Sequence, residues 1–153
     1  MKQQIIFKRL QVEDKEIYLA LANAFYHSPA VLKPIPDEYI ENTFNEVIRS
    51  DLYTDAFLIY QNDELAGYAV LSKSFSQECG GQIIWLDELS ILPAFQSKGI
   101  GQAYFAFVHN QYPECKRFRL EVEADNTRAI ELYQRMGFSS HVYYQMVQEK
   151  KTK

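Results

Sequence analysis

The stretch QSKGIG, residues 96–101, is the most informative part of this sequence for the fold, because of the runs of residues on either side of it. An apolar run typical of a strand, residues 83–92, precedes it, and a run typical of a helix, residues 102–112, follows it. The first N–H groups of a helix have no partner within the helix, and aligned peptide dipoles place about half a positive charge there. Gly99 and Gly101 lack a Cβ, so an anion can approach the backbone closely. The stretch therefore predicts either a phosphate-binding turn or an ordinary glycine-containing loop.

Two familiar phosphate-binding motifs are excluded at this turn. A P-loop would end in Gly-Lys-Ser/Thr, and the Rossmann fingerprint needs a further glycine that does not follow Gly101.

A second segment, residues 121–138, favours the phosphate-binding alternative. There Asn126 can cap a helix and Gly137 stands where a glycine would end it. Between them, apolar residues recur at helical spacing and predict a helix of about three turns: Ala129, Ile130, Leu132, Tyr133 and Met136.

Together the two segments resemble the GNAT superfamily of acyl-CoA N-acyltransferases in residues, order and spacing, over roughly residues 82–138. The resemblance implies an α/β fold with a central mixed, mostly antiparallel sheet flanked by helices, and two splayed parallel strands at the CoA site. It also implies acetyl-CoA as cosubstrate, no metal, and a homodimer as one assembly the family allows. The family often has Gly at position 97, where this chain has Ser97. By the same resemblance, the CoA-binding residues are Leu89, Ser90 and Ile91 through their backbone, Gln96, Ser97, Lys98, Gly99, Ile100, Gly101, Gln102, Asn126 and Tyr133.

Composition bounds the rest of the interpretation. The chain has 153 residues, of which 47% are hydrophobic and 14% aromatic, so we expect a single domain over residues 1–153 with a core that needs neither disulfides nor metal. The N-terminal apolar run is too short for a signal peptide, and no stretch approaches the roughly 18 to 20 apolar residues of a membrane span. These features predict a cytoplasmic protein with no membrane partner.

Scattered cysteines and histidines argue against a metal site. Cys79 and Cys115 show no CxxC or Cys/His spacing and are interpreted as free thiols. The three histidines, His27, His109 and His141, are equally dispersed. A net charge of −4 without a basic stripe argues against nucleic acid as a partner and favours a cationic substrate.

Periodicity predicts an alternation of strands and helices. Residues 27–36 hold three prolines and predict a loop, and the polar residues 62–64 predict a hairpin turn. The predicted strands cover residues 4–10, 56–61, 65–72, 82–92 and 117–122, with a final pair around 138–148. The predicted helices cover residues 13–26, 99–112 and 126–136, with another beginning at Asp37 and Glu38.

The strand before the glycine turn contains an irregularity. Ile84 and Leu86 share one parity whereas Leu89 and Ile91 share the other, so the alternation slips by one residue across Asp87-Glu88. A β-bulge would produce this slip, and we predict one. The alternative is a strand buried on both faces, where parity carries little information.

Acetyl transfer to an amine needs a neutral amine and a proton for the departing thiolate. The resemblance assigns the proton donor to Tyr133, since a phenol remains protonated at neutral pH. The alternative is that Tyr133 is one core residue on its helix.

Adjacent carboxylates in an apolar run are unfavourable unless they are solvated or have a role in binding or catalysis. Asp87 and Glu88 therefore mark the acceptor site. Either can take the proton of the amine, and we favour Glu88 because a bulge turns it toward the cleft. The alternative is that one or both acids are simply exposed at the bulge.

The acceptor is predicted to be a primary amine of a small molecule or peptide. The LDEL stretch, residues 86–89, resembles the acidic pair of spermidine/spermine and diamine acetyltransferases in a few residues. The loop from Phe25 to Pro36, with Tyr26 and His27, is expected to form the wall of the acceptor pocket. The alternative function is a non-catalytic acyl-CoA-binding sensor, and a longer acyl group also remains open.

Overall fold

The computed structural model describes residues 3–150, whose contacts fall into two units divided in sequence between Glu121 and Val122. The first unit contains a five-stranded sheet and three helices, and the second contains one helix. The strands are β1 (Ile5–Arg9), β2 (Thr54–Gln61), β3 (Glu64–Ser76), β4 (Gly81–Ile91) and β5 (Cys115–Arg119). The helices are α1 (Lys15–Tyr26), α2 (Asp37–Arg49), α3 (Ile100–Gln111) and α4 (Thr127–Arg135).

The sheet has the order β1-β2-β3-β4-β5. Its first four strands pair antiparallel, and β4 and β5 pair parallel, which confirms the predicted mixed sheet. The predicted hairpin joins β2 to β3 through Asn62 and Asp63. Both turn residues have positive φ, 51° and 66°, as a two-residue turn between twisted strands requires.

Helices cover both faces of the sheet and divide the core into two clusters. On one face α1 and α2 pack against strand residues that include Leu58, Tyr68 and Val70. On the other face α3 packs against alternate residues, such as Ile59 and Leu71. Because β2 and β3 are buried on both faces, their sequences are nearly continuous apolar runs rather than alternating ones.

A β-bulge interrupts β4 where the alternation slips. Val70 of β3 lies opposite Glu88, and the next residue, Leu71, lies opposite Leu86, so Asp87 is an extra residue without a partner in the register. The predicted bulge is therefore confirmed. Leu86 and Leu89, on either side of the acidic pair, both pack against the α3 cluster despite their different parity.

The parallel pairing of β4 with β5 is short. Its register runs from Gln82↔Cys115 to Trp85↔Arg119, whereas β4 continues to Ile91. Within the described residues, the segment 86–91 therefore pairs with β3 on one edge and with no strand on the other. Unpaired N–H and C=O groups along such an edge can pair with an extended ligand.

The predicted strand pair around residues 138–148 is wrong in this structure. No strand is assigned within residues 138–150, and five of their large apolar side chains are exposed: Val142, Tyr143, Tyr144, Met146 and Val147. A strand needs a neighbouring strand to pair its backbone, and none of the described pairings includes this segment. The local sequence of this segment does not specify such a neighbour.

A buried charged group connects several elements of the first unit. Asp55 of β2 accepts hydrogen bonds from Arg9 (2.8 Å), from Lys73 (2.9 Å) and from the hydroxyl of Tyr112. Arg9 also donates to the carbonyl of Val47 near the end of α2 at 2.7 Å. Burial alone would raise the pKa of Asp55, but the three donors outweigh it and hold this pKa below its ordinary value.

We expect Asp55→Asn to lower the free energy of unfolding by about 3 kcal/mol at pH 7, because Arg9 and Lys73 lose their anionic partner. The pKa of Asp55 is lowered in the native state, so its stabilisation is present above the ordinary carboxyl pKa of about 4 and is lost as the pH falls further. Urea denaturation at several pH values checks this. Asp51→Asn, at an exposed carboxylate nearby, is the control. Equal losses in both variants would contradict the role of Asp55.

Candidate active site

An open cleft of about 870 Å³ lies beside the bulge of β4. Asp87 and Glu88 both line it, although consecutive residues of a regular strand point to opposite faces. The bulge explains how two adjacent carboxylates reach one cavity. Its other walls come from the end of α1 (Phe25, Tyr26), the following loop (Ala30, Val31, Leu32, Lys33), α2 (Asn42, Thr43, Glu46) and the strand residues Thr54 and Val70.

Both carboxylate oxygens of Glu88 accept hydrogen bonds from phenols. The hydroxyl of Tyr26 donates to Oε2 at 2.5 Å, and the hydroxyl of Tyr68 donates to Oε1 at 2.7 Å. Burial, together with the negative charge of Glu88, raises the pKa of each phenol above its ordinary value. Both phenols therefore stay protonated at neutral pH and act as donors.

Asp87 has different surroundings from its neighbour. The residue is exposed to solvent, yet protein atoms around its carboxyl group desolvate it in part and raise its pKa. A hydrogen bond from Ser72 acts in the opposite direction, and repulsion from Glu88 and Glu121 adds to the increase. Because solvent reaches the side chain, this shift is moderated by screening.

The glycine turn has the geometry of an anion-binding helix end. Gly99 precedes α3 with φ of 85°, in the left-handed region, and Ser97 has φ of 60°. The positive φ at Ser97 gives a physical reason why glycine suits this position. The first backbone bond of α3 runs from Ala103 to Gly99 at 3.0 Å, so the earlier N–H groups have no carbonyl partner within the helix.

Space beside the turn is open. A Cβ built on Gly99 would meet no atom within 4 Å, and one built on Gly101 would meet only the side chain of Leu89, at 4.0 Å. Unpartnered N–H groups facing open space fit a diphosphate such as that of CoA. The side chain of Gln96, in contrast, donates to the carbonyl of Ile91 at 3.0 Å and so connects the turn to the end of β4.

The three β4 residues predicted to bind CoA through their backbone lie after the bulge. Leu89, Ser90 and Ile91 belong to the segment that has no β5 partner. Their position depends on Gly67 of β3, because a Cβ there would lie 2.0 Å from the carbonyl oxygen of Ser90. Glycine at position 67 therefore lets β3 and β4 approach closely at this point.

The second unit contains Asn126 and Tyr133. As predicted, Asn126 caps α4, since its Oδ1 accepts from the N–H of Ala129 at 3.2 Å. Gly137, with φ of 98°, follows the helix, also as predicted. The ring of Tyr133 lies 6.0 Å from that of Phe138, and burial raises the pKa of the Tyr133 phenol. The roles of Asn126 and Tyr133 in binding and catalysis stay predictions.

The first unit brings some predicted acceptor residues together and leaves one apart. Tyr26 lines the cleft and bonds to Glu88, whereas His27 is not among the lining residues and directs Nδ1 to the carbonyl of Asn23 at 2.8 Å.

Sequence reasoning missed Tyr68, whose hydroxyl donates to Glu88. Glu46 also lines the cleft, but both of its carboxylate oxygens accept from Arg49. Tyr68 pairs with Ser90, and this places Tyr68 diagonally across from Glu88. The register depends on the position of the bulge, so the sequence alone does not bring Tyr68 and Glu88 together.

The model of the acetyltransferase (GNAT) family matches residues 16–138. The chain belongs to the GNAT family of acetyltransferases. A spermine/spermidine N(1)-acetyltransferase of Bacillus subtilis (strain 168) is 32% identical over 108 residues, covering 65% of this chain and 70% of that protein.

Solved GNAT-like structures share the fold at low sequence identity. A possible acetyltransferase from Clostridium difficile 630 has a TM-score of 0.81 at 14% identity, over 97% of this chain and 99% of the other. Aminoglycoside N-acetyltransferase AAC(6')-Iy, solved in complex with CoA, has a TM-score of 0.75 at 15% identity, over 99% of this chain and 98% of the other. The predicted GNAT fold is thereby confirmed.

The described residues contain neither a metal-binding cluster nor a membrane-spanning helix. Across residues 3–150, no three His, Cys, Asp or Glu side chains come together in a way that could hold a metal ion. In the same part of the chain, no helix has the length and apolar character needed to cross a membrane.

Proposed function

We propose that this GNAT chain transfers the acetyl group of acetyl-CoA to a primary amine of a small molecule or peptide. One observation carries the proposal: a bulge places two carboxylates in an open cleft, immediately before the β4 segment that has no β5 partner. Carboxylates suit a cationic amine, and an unpaired strand edge suits an extended pantetheine. The glycine turn at the start of α3 supplies N–H groups for the diphosphate.

The reaction follows from these parts. A carboxylate of the cleft takes one proton from the ammonium, so the nitrogen has a lone pair. The nitrogen attacks the thioester carbonyl carbon, the C–N bond forms, and the C–S bond then breaks. As the amide forms, the nitrogen releases a second proton to water. The departing thiolate takes a proton from a phenol, which we assign to Tyr133, and the phenolate then regains a proton from water.

Properties of the relatives support an amine as acceptor. The Bacillus subtilis relative is named for spermine and spermidine, and AAC(6')-Iy is named for aminoglycosides. Both classes carry several amino groups that are cationic at neutral pH. The acidic cleft and the net charge of −4 support a similar class of acceptor for this chain.

We place the protein in the cytoplasm. The two free thiols, Cys79 and Cys115, support this location because the cytoplasm keeps thiols reduced.

The test mixes the protein with acetyl-CoA and a panel of amines, including spermidine, 1,4-diaminobutane, an aminoglycoside and a lysine peptide, and follows free thiol. We expect release of thiol only with particular amines. Binding of acetyl-CoA without release for any amine would overturn the proposal and indicate a sensor. Mass spectrometry of the product locates the acetyl group and identifies the nitrogen that accepts it.

A further inference from the structure

The carboxylate of Glu88 is held on both sides by phenols. Tyr26 donates to one oxygen at 2.5 Å, and Tyr68 donates to the other at 2.7 Å. Two donors on different oxygens fix the orientation of the carboxylate plane, which one donor would leave free to turn. Glu88 lines the cleft and is only partly buried, so each oxygen keeps a lone pair for a ligand.

Tyr68 is itself fixed in place. Its side chain is fully buried, so water does not compete for its hydroxyl, and Glu88 is the acceptor it contacts. Tyr18 and Phe25 of α1 contact its ring edge-on, with centroid distances of 5.6 Å and 6.1 Å. The hydroxyl of Tyr68 is therefore held in one position beside Oε1 of Glu88.

Tyr26 reaches Glu88 from the last turn of α1. Its ring packs edge-on against Phe25 at 5.2 Å, and Phe25 also contacts Tyr68. One aromatic residue thus supports both phenols that bind Glu88. The two donors are therefore arranged in advance of any ligand, as a site that must bind a cation in one orientation requires.

Asp87 is the more suitable proton acceptor of the pair. It is exposed, it lines the same cleft, and no phenol is bonded to it, so a proton can pass from it to water. The increase in its pKa caused by desolvation, and by Glu88 and Glu121, adds proton affinity in the same direction.

We propose that Tyr26 and Tyr68 hold Glu88 as a fixed anion that binds the acceptor ammonium, and that the neighbouring Asp87 takes the proton of that ammonium. The inference rests on the proposed function and reverses the sequence-based preference for Glu88 as base. Asp87 receives the proton, the nitrogen keeps the electron pair that attacks the thioester, and Asp87 later releases the proton to water. Tyr68 acts through Glu88 and is a positioning residue.

Steady-state kinetics with acetyl-CoA and spermidine separate the two roles. Glu88→Gln should raise KM for spermidine at least about tenfold, with kcat within a few fold, because it removes the charge that binds the ammonium. Asp87→Asn should lower kcat by roughly 10² to 10⁴ with a smaller change in KM. Tyr68→Phe and Tyr26→Phe should each raise KM by roughly three- to tenfold, since each removes one donor to the carboxylate.

A second acceptor amine distinguishes a role in positioning Glu88 from a general structural defect of the variant. An aromatic primary amine that is neutral at the assay pH has no ammonium for Glu88 to bind. With it, Glu88→Gln and Tyr68→Phe should each lose a smaller factor in kcat/KM than they lose with spermidine, because there is no ammonium charge to bind. Tyr104→Phe is the control, because it removes another buried hydroxyl, on the α3 side of the sheet, that is bonded to neither carboxylate.

Three outcomes would each overturn a conclusion. A fall in kcat of a hundredfold or more for Glu88→Gln, with Asp87→Asn near wild type, would overturn the assignment of roles but not the proposed function. Equal losses for Tyr68→Phe with both amines would show that Tyr68 is merely structural and would also overturn the assignment. Absence of turnover by the wild type with every amine of the panel would overturn the proposed function, and this inference with it.

Discussion

Tyr133→Phe is expected to lower kcat by roughly 10² to 10⁴ if the Tyr133 phenol protonates the departing thiolate, which is the range for a lost general acid. The phenol is suited to that step because burial raises its pKa and keeps it protonated until a thiolate forms. The dissociation constant of acetyl-CoA should stay within a few fold. The free energy of unfolding should change by at most about 1 kcal/mol, because only one hydroxyl is removed and the ring remains.

Single-turnover kinetics after rapid mixing measure this loss without interference from product release. Tyr144→Phe, which removes the hydroxyl of an exposed tyrosine in the same unit, should have wild-type kinetics. If Tyr133→Phe turned over within about threefold of wild type, Tyr133 would be a packing residue, and the thiolate would take its proton from another group or from water.

Gly101→Glu is expected to remove most of the stabilisation that acetyl-CoA gives the native protein. A ligand that binds only the native state adds RT ln(1 + [L]/Kd), about 2.7 kcal/mol at a hundredfold excess over Kd. The substitution places a negative side chain beside the N–H groups at the start of α3, where the diphosphate is proposed to bind. The fold should tolerate it, since a Cβ on Gly101 meets only the side chain of Leu89, at 4.0 Å.

Thermal melts with and without acetyl-CoA measure the stabilisation directly. Ala106→Glu adds the same charge to an exposed position of the same helix and should leave the ligand-induced shift unchanged. Gly101→Ala should have an intermediate effect, because it adds bulk without charge. A shift of wild-type size in folded Gly101→Glu would mean that the diphosphate binds elsewhere.

Local patterns predicted the features that depend on neighbouring residues. The hairpin turn at Asn62 and Asp63, the cap at Asn126 and the bulge at Asp87 each result from backbone constraints that a few residues impose. The acidic pair could be located for the same reason, since two carboxylates in an apolar run are conspicuous.

Features that depend on distant residues could not be predicted in this way. In the sequence, Tyr68 is one more aromatic residue in an apolar strand. Its hydroxyl contacts Glu88 because β3 pairs with β4 and α1 packs over both strands. Residues 138–148 show the opposite failure. Their sequence predicted strands, yet strand formation also requires a partner that local sequence does not specify.

The bulge in β4 makes the charge of the cleft depend on the number of residues in the strand as well as on their types. Because Asp87 is the unpaired residue, the register on either side of it is already continuous, with Leu86 opposite Leu71 and Glu88 opposite Val70. A chain one residue shorter at this point would keep Glu88 in the cleft and Leu89 in the core. Gain or loss of a single codon could thus change such a cleft between one acid and two, without disturbing the rest of the sheet.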